Sequence, residues 1–276
     1  MSFPFLSAQW RKLIMAQYEV APEILQRRLP QGLELDLYHG RCFVSLVGFL
    51  FDRVRLLGVP VPFHTRFEEV NLRYYVRRPM PDGSFRRGVV FLSEIVPKPA
   101  ITLVARTLYG EAYSTAPTCH AWGLVGSDPL RKAPRAARHR TRKHFREMAQ
   151  QQPTAKEAVP WQASRCEVEY EWKHRGLWQR VGVRAENSLQ PIPQGSIEEF
   201  ITEHYWGYAP RRGGGTTEYA VEHRRWEVYP VQEHRVACDF GSLYGAEFAD
   251  LAGRVPDNVL LAEGAPVVIR WGGSIA

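Results

Sequence analysis

Cysteine is sparse and scattered in this chain. Cys42, Cys119, Cys166 and Cys238 are the four present, and no two form a Cys-x-x-Cys pair. That excludes a zinc ribbon and a dithiol redox motif, and it fits a reducing compartment better than a disulfide framework. Long apolar runs are also missing. The longest, over residues 44–51, contains Ser45 and Gly48, far short of the ~18–20 residues that span a bilayer. Met1-Ser2-Phe3-Pro4-Phe5-Leu6 lacks the basic start and apolar core of a signal peptide. The expectation is a cytoplasmic protein with no membrane partner. There is no His-Glu-x-x-His, and Cys119-His120 is an isolated pair, so neither a metal nor a resident cofactor is expected. Gly213-Gly214-Gly215 lacks the Gly-Lys-Ser/Thr ending of a phosphate loop. Lysine is scarce too: of 36 Lys and Arg, six are Lys and thirty are Arg.

What is present is core material and positive charge. The 276 residues are 45% hydrophobic and include eight Trp, which argues against wholesale disorder. A net charge of +7 attracts anions from phosphate to nucleic acid without naming one. The densest basic segment, 131–146, holds six Arg, two Lys and two His with no acid. Clustered cations suffice for phosphate contacts. Aromatics are sparse there and no nucleic-acid motif accompanies it, so a solvated loop is the simpler reading and nucleic acid an unfavoured partner.

Strands dominate the pattern. Alternation or apolar runs predict strands over 9–20, 33–37, 41–51, 67–76, 85–96, 100–109, 164–172, 177–184, 216–231 and 267–271. The strand over 33–37 is expected to keep one wet face. Pro81-Asp82-Gly83 and His174-Arg175-Gly176 read as turns. Short helices are expected over 23–29, 143–152 and 242–251, and over 196–205, where Ser196 and Glu199 form a capping box. No repeat, heptad or linker divides the chain. These features predict one α+β, mainly β domain over 1–276, rich in antiparallel pairs.

One stretch, 67–76, organises the rest. Phe67, Glu69, Asn71, Arg73 and Tyr75 share one face; Glu68, Val70, Leu72, Tyr74 and Val76 share the other. The first face sets an acid, an amide, a guanidinium and a phenol in a row, about 6–7 Å apart at alternate positions. Facing water, such a row is a solvated surface or a self-satisfying Glu–Arg network. Facing the lumen of a barrel, it is the wall of a binding site. Periodicity is compatible with both.

Other residues carry chemistry against a plainer alternative. Arg73 suits a carboxylate or phosphate, since its fork matches two oxygens. Glu69 becomes a general base if burial raises its pKa. Arg106, amid Leu103, Val104 and Leu108, must be ion-paired or face a cavity. Ser93 and Tyr113 are hydrogen-bond donors to a ligand or else core hydroxyls. His223, near Trp226, is an acid or base or else a structural histidine. Glu203, His204 and Tyr205 sit late in the capped helix, more a packing group than a site. Lys98, between Pro97 and Pro99, belongs to a solvated turn and makes a poor nucleophile.

Several segments in order carry a resemblance. They are Leu29-Pro30-Gln31-Gly32-Leu33; the 67–76 stretch; Gly88-Val89-Val90-Phe91-Leu92-Ser93; Ala105-Arg106 with Tyr109 and Tyr113; Phe200-Ile201-Thr202-Glu203-His204-Tyr205; and Val221-Glu222-His223-Arg224-Arg225-Trp226. Together the chain resembles the YqjF-like family of uncharacterised proteins, in the acetoacetate decarboxylase-like superfamily. The resemblance implies a cone-like antiparallel β-barrel whose central cavity holds the Glu69 row. It also implies a departure. Decarboxylases of that superfamily use a Schiff-base lysine in a Gly-x-Pro-Lys turn, and the similar stretch here has Ala112, Tyr113 and Ser114 in its place. Without the amine there is no imine to act as electron sink, so that decarboxylase activity is not expected.

The leading expectation is a cavity for a small organic anion. Arg73 and Arg106 hold its acid group, with Asn71, Ser93 and Tyr113 beside it. If chemistry follows, it is lyase- or isomerase-like proton transfer next to a carbonyl, with Glu69 or His223 as base. The alternatives are a non-catalytic ligand-binding or regulatory module, and a nucleic-acid binder through 131–146.

Overall fold

The organising stretch forms one long strand, Phe67–Pro79, whose first ten residues are all buried. The computed structural model of the chain describes residues 4–108, 110, 112–124, 165–211 and 213–275. The basic segment 131–146 and the helix expected over 143–152 lie outside the described residues.

Burial on both faces has a topological cause. Phe67–Pro79 pairs with Phe43–Leu56 on one side and Phe85–Val96 on the other. From Phe85–Val96 the sheet continues through Trp206–Pro210, Thr216–His223, Pro266–Arg270 and Pro4–Glu19. Pro4–Glu19 then returns to Phe43–Leu56 and closes a ring of seven strands. Strict antiparallel alternation cannot close on an odd number. The mismatch falls between Phe85–Val96 and Trp206–Pro210, which run parallel. The mainly β, α+β barrel expected from the sequence is thus the architecture found, with short helices around it.

Alternate side chains face either the lumen or the outer wall. Phe67 and Tyr75 meet Val47, Val89, Val221 and Val267 inside. Val70, Leu72 and Tyr74 point outward, where a second antiparallel sheet covers them. That sheet comprises Thr118–Leu124, Arg165–His174, Leu177–Glu186 and Val231–Ala237. Its Tyr170 and Trp172 are fully buried against the barrel wall. The hairpin within it turns at Arg175 and Gly176, with φ of 44° and 82°, the two-residue geometry that matches strand twist. The four cysteines are buried and free. Among the described residues no helix is long and apolar enough to cross a membrane.

Three expectations are corrected. The strand expected over 100–109 is not found over its described residues: Pro99–Leu108 is a helix. Pro99 suits the first helical position, and Ile101, Val104, Ala105 and Leu108 recur at helical spacing beneath the alternation. Arg106 therefore falls on a helix, and its side chain lies outside the described residues. The wet face of 33–37 is inverted at its end: Asp36 is buried and Leu37 exposed, because the strand stops at Glu34–Leu35. Finally, 216–231 is broken into Thr216–His223 and Glu227–Tyr229 before the next strand begins at Val231.

The parallel joint leaves no room for a methyl group. A Cβ at Gly88 would lie 2.6 Å from the Tyr208 ring and closer still to the Trp206 carbonyl. Gly88→Ala is expected to cost about 1–3 kcal/mol through overpacking, read as a lower urea midpoint at unchanged slope.

Candidate functional site

Glu69, Asn71 and Arg73 share the lumen face with Phe67 and Tyr75, as strand alternation requires. All three are buried. Asn71 Nδ2 donates to Glu69 Oε1 at 3.0 Å, and the Tyr113 hydroxyl donates to Oε2 at 2.8 Å. Tyr113 reaches there because its short strand, Tyr113–Thr115, runs parallel to residues 94–96 at the barrel rim. Burial raises the Glu69 carboxyl to about 7, against the pull of those two hydrogen bonds and of the Arg73 charge. The Tyr113 phenol is pushed well up by burial and by the Glu69 and Glu94 charges.

Asn71 Oδ1 is buried without a hydrogen-bond partner, and Arg73 is incompletely satisfied as well. Its Nη2 has only long contacts, 3.4 Å to the Ile201 carbonyl and 3.7 Å to Met15 Sδ. Its Nε is buried without a hydrogen-bond partner. No carboxylate among the described residues forms an ion pair with it. Ile201 belongs to the helix Ile197–Thr202, capped by Ser196 as expected. The carbonyl end of that helix carries partial negative charge toward the guanidinium, which is a weak substitute for an anion.

A cavity of about 60 Å³ is lined by Glu69, Arg73, Glu94, Tyr113, His204 and His223, with Trp10 and Trp226 among its apolar walls. That is about two water molecules' share of liquid volume. His223 stacks on Trp226 with ring centroids 4.5 Å apart. Its Nδ1 lies 2.9 Å from the Arg224 carbonyl, so Nδ1 carries the proton and Nε2 is the acceptor. Burial lowers its pKa.

His204 is the residue the sequence reading underrated. Its Nε2 donates to Asp36 Oδ2 at 3.0 Å, and Arg87 Nε donates to the same oxygen at 2.6 Å. Burial would raise Asp36, but the His204 and Arg87 hydrogen bonds hold it below the usual carboxylate range. Burial drives His204 down to about 4, so the ring is neutral at pH 7. With Nε2 protonated, Nδ1 is a lone pair, and it is buried without a partner. A base held in one tautomer by a carboxylate is the arrangement that general-base chemistry uses. The clue in the sequence was slight: a histidine just past a capped helix, with its partner 168 positions away.

The remaining candidates lie apart from this group. Ser93 is registered opposite Leu72, across a bulge at Leu92. Leu72 belongs to the outer cluster, so Ser93 sits on the other side of the sheet from the Glu69 row. Tyr205 donates to Glu203 at 2.7 Å. Lys12, Lys98 and Lys173, the lysines among the described residues, line neither this cavity nor the one next to it. Lys12 is held by Glu263 at 2.6 Å. No cluster of metal-ligating side chains occurs among the described residues.

Comparison with known proteins bears on the family and the fold. The model of the family DUF2071, described as an uncharacterized conserved protein, matches residues 7–266. The uncharacterized protein YqjF of Bacillus subtilis is 31% identical over 105 residues, spanning 38% of this chain and 41% of that protein. Among solved structures, an acetoacetate decarboxylase-like enzyme from Sphingomonas wittichii has a TM-score of 0.60 at 13% identity, over 98% of this chain and 92% of that one. The acetoacetate decarboxylase of Legionella pneumophila has a TM-score of 0.56 at 12% identity, over 99% and 88%. The enduracididine biosynthesis enzyme MppR, complexed with pyruvate, has a TM-score of 0.57 at 11% identity, over 100% and 92%. At these identities the structural likeness is one of fold, whereas the family match covers nearly the whole sequence. The chain belongs to the DUF2071 family of YqjF-like proteins, built on the acetoacetate decarboxylase-like barrel.

Proposed function

We propose that the lumen binds a small organic acid, with its carboxylate on Arg73, and moves a proton at the carbon next to a carbonyl. The observation that carries this is the Arg73 guanidinium: buried, lining the cavity and without a carboxylate partner among the described residues. A buried cation is retained only when something pairs with it, and a ligand carboxylate fits its fork.

The bases stand beside it. Glu69, raised to about 7, has the affinity a general base needs near neutral pH. His204 and His223 are neutral alternatives on the same cavity. Glu69 takes a proton from the carbon, the C–H pair becomes the new C=C bond, and the carbonyl pair moves onto oxygen. The positive charge of Arg73 opposes the charge that builds in the enolate. Returning a solvent proton completes isotope exchange without any co-reactant. No imine enters this scheme, which agrees with the placement of Lys12, Lys98 and Lys173.

MppR was solved with pyruvate, which makes 2-oxo acids the natural first probes. In a thermal-shift titration pyruvate should stabilise the protein and its methyl ester should not, because only the acid carries charge to Arg73. Equal shifts from both would sink the reading. Exchange at C3 of pyruvate in heavy water, followed by NMR, should fall about 10²–10⁴-fold in Glu69→Gln, the usual weight of one general base.

A further inference from the structure

The polar cavity does not end at Tyr113. A second cavity of about 180 Å³ adjoins it, and the two share Phe51, Glu94, Tyr113, Tyr219 and Ile269. The rest of the second wall is hydrocarbon except for His64. Helix Pro99–Leu108 supplies Ile101, Val104 and Ala105 to it. Phe67, at the start of the central strand, lines it too. The strand that presents Arg73 to the small cavity therefore also borders the large one.

Packed interiors hold few voids larger than a water molecule. An apolar cavity of about 150 Å³ stays dry and takes up a benzene-sized guest. The apolar pocket beside Tyr113, partly open to solvent, reaches that size and adjoins the charged cavity of about 60 Å³. We propose that this second chamber receives the hydrocarbon end of the ligand. The substrate class is then a 2-oxo acid bearing a chain or ring of about six carbons, its carboxylate at Arg73 and its tail past Tyr113. This rests on the acid-binding reading above and narrows it from small acids in general to amphipathic ones.

The test is a chain-length series by calorimetric titration, from pyruvate to 2-oxodecanoate, with phenylpyruvate as the ring. In the wild type, Kd should tighten about fourfold for each methylene buried, and level off once about six carbons occupy the chamber. Val104→Trp and, as a second way to fill the same space, Ala105→Phe should flatten the series. A flat series in the wild type, with pyruvate still bound, overturns this inference and leaves the acid site standing. A series equally steep in both variants places the tail elsewhere and also overturns it. Failure of every acid to bind overturns both readings together.

Discussion

Arg73→Met is expected to abolish acid binding while leaving the empty protein at least as stable as wild type. The two halves have one cause. Without ligand the guanidinium is desolvated, with a helix carbonyl at 3.4 Å, a thioether at 3.7 Å and the Tyr75 ring at 5.7 Å beside it, and with the Glu69 carboxyl close enough to feel its charge but not ion-paired to it. Replacing a poorly compensated buried charge with a hydrocarbon of similar length is neutral or stabilising. Once a carboxylate is bound, the same side chain is half of a buried, hydrogen-bonded ion pair. Truncating such a pair costs about 2–5 kcal/mol, a loss of about 30-fold to a few thousand-fold in affinity. The decisive measurement is a pair of melting curves, with and without pyruvate, on each protein. A variant that melts well below wild type yet still responds to the acid would show that Arg73 serves packing and not recognition.

Glu69→Gln and His204→Gln are expected to tilt the pH dependence of stability in opposite directions. The folded Glu69 carboxyl, at about 7, lies above its ordinary 4.5. The native state therefore holds the extra proton between those values, and Glu69 costs stability as pH rises through that window. Folded His204, at about 4, lies below its ordinary 6.5. Its contribution is fully present above 6.5 and is lost as pH falls toward 4. In the wild type the two slopes oppose each other between 4.5 and 6.5. Glu69→Gln leaves the histidine slope, so the variant gains on wild type as pH rises, by up to about 3 kcal/mol above pH 7. His204→Gln leaves the glutamate slope, so the variant loses stability as pH rises over the same interval. Urea unfolding at pH 4.5, 5.5, 6.5 and 8 checks both. Parallel profiles for the three proteins would mean that neither group changes its proton affinity on folding.

Much of this architecture was legible in residue order. The alternation of 67–76 identifies which side chains share a face, and they do share it. The apolar run before it reads as a strand, and Phe43–Leu56 is one, buried on both faces as far as Phe51. His174-Arg175-Gly176 reads as a turn, and Arg175-Gly176 takes the left-handed conformations a tight hairpin needs. Ser196 and Glu199 read as a helix start, and the Ser196 hydroxyl accepts from the Glu199 N–H at 3.2 Å. These signals are local, set by period, turn chemistry and capping. The weakest local signal failed. Residues 100–108 fit a β-branched alternation and a helical stripe together, and packing against the lumen cluster by Ile101 and Val104 selected the helix.

The sequence by itself determined most of the long strands, which side chains of 67–76 share a face, and the family. Tertiary structure alone decided which face is inside, because ring closure joins strands as far apart as Pro4–Glu19 and Pro266–Arg270. It alone set His204 on Asp36 and left Arg73 without an ion-paired carboxylate among the described residues. It alone placed an apolar chamber next to a charged one. The physical reason is the same in each case: a side chain's proton affinity and its need for a partner come from the neighbours that exclude water from it. Those neighbours are assembled by barrel closure, not by adjacency along the chain.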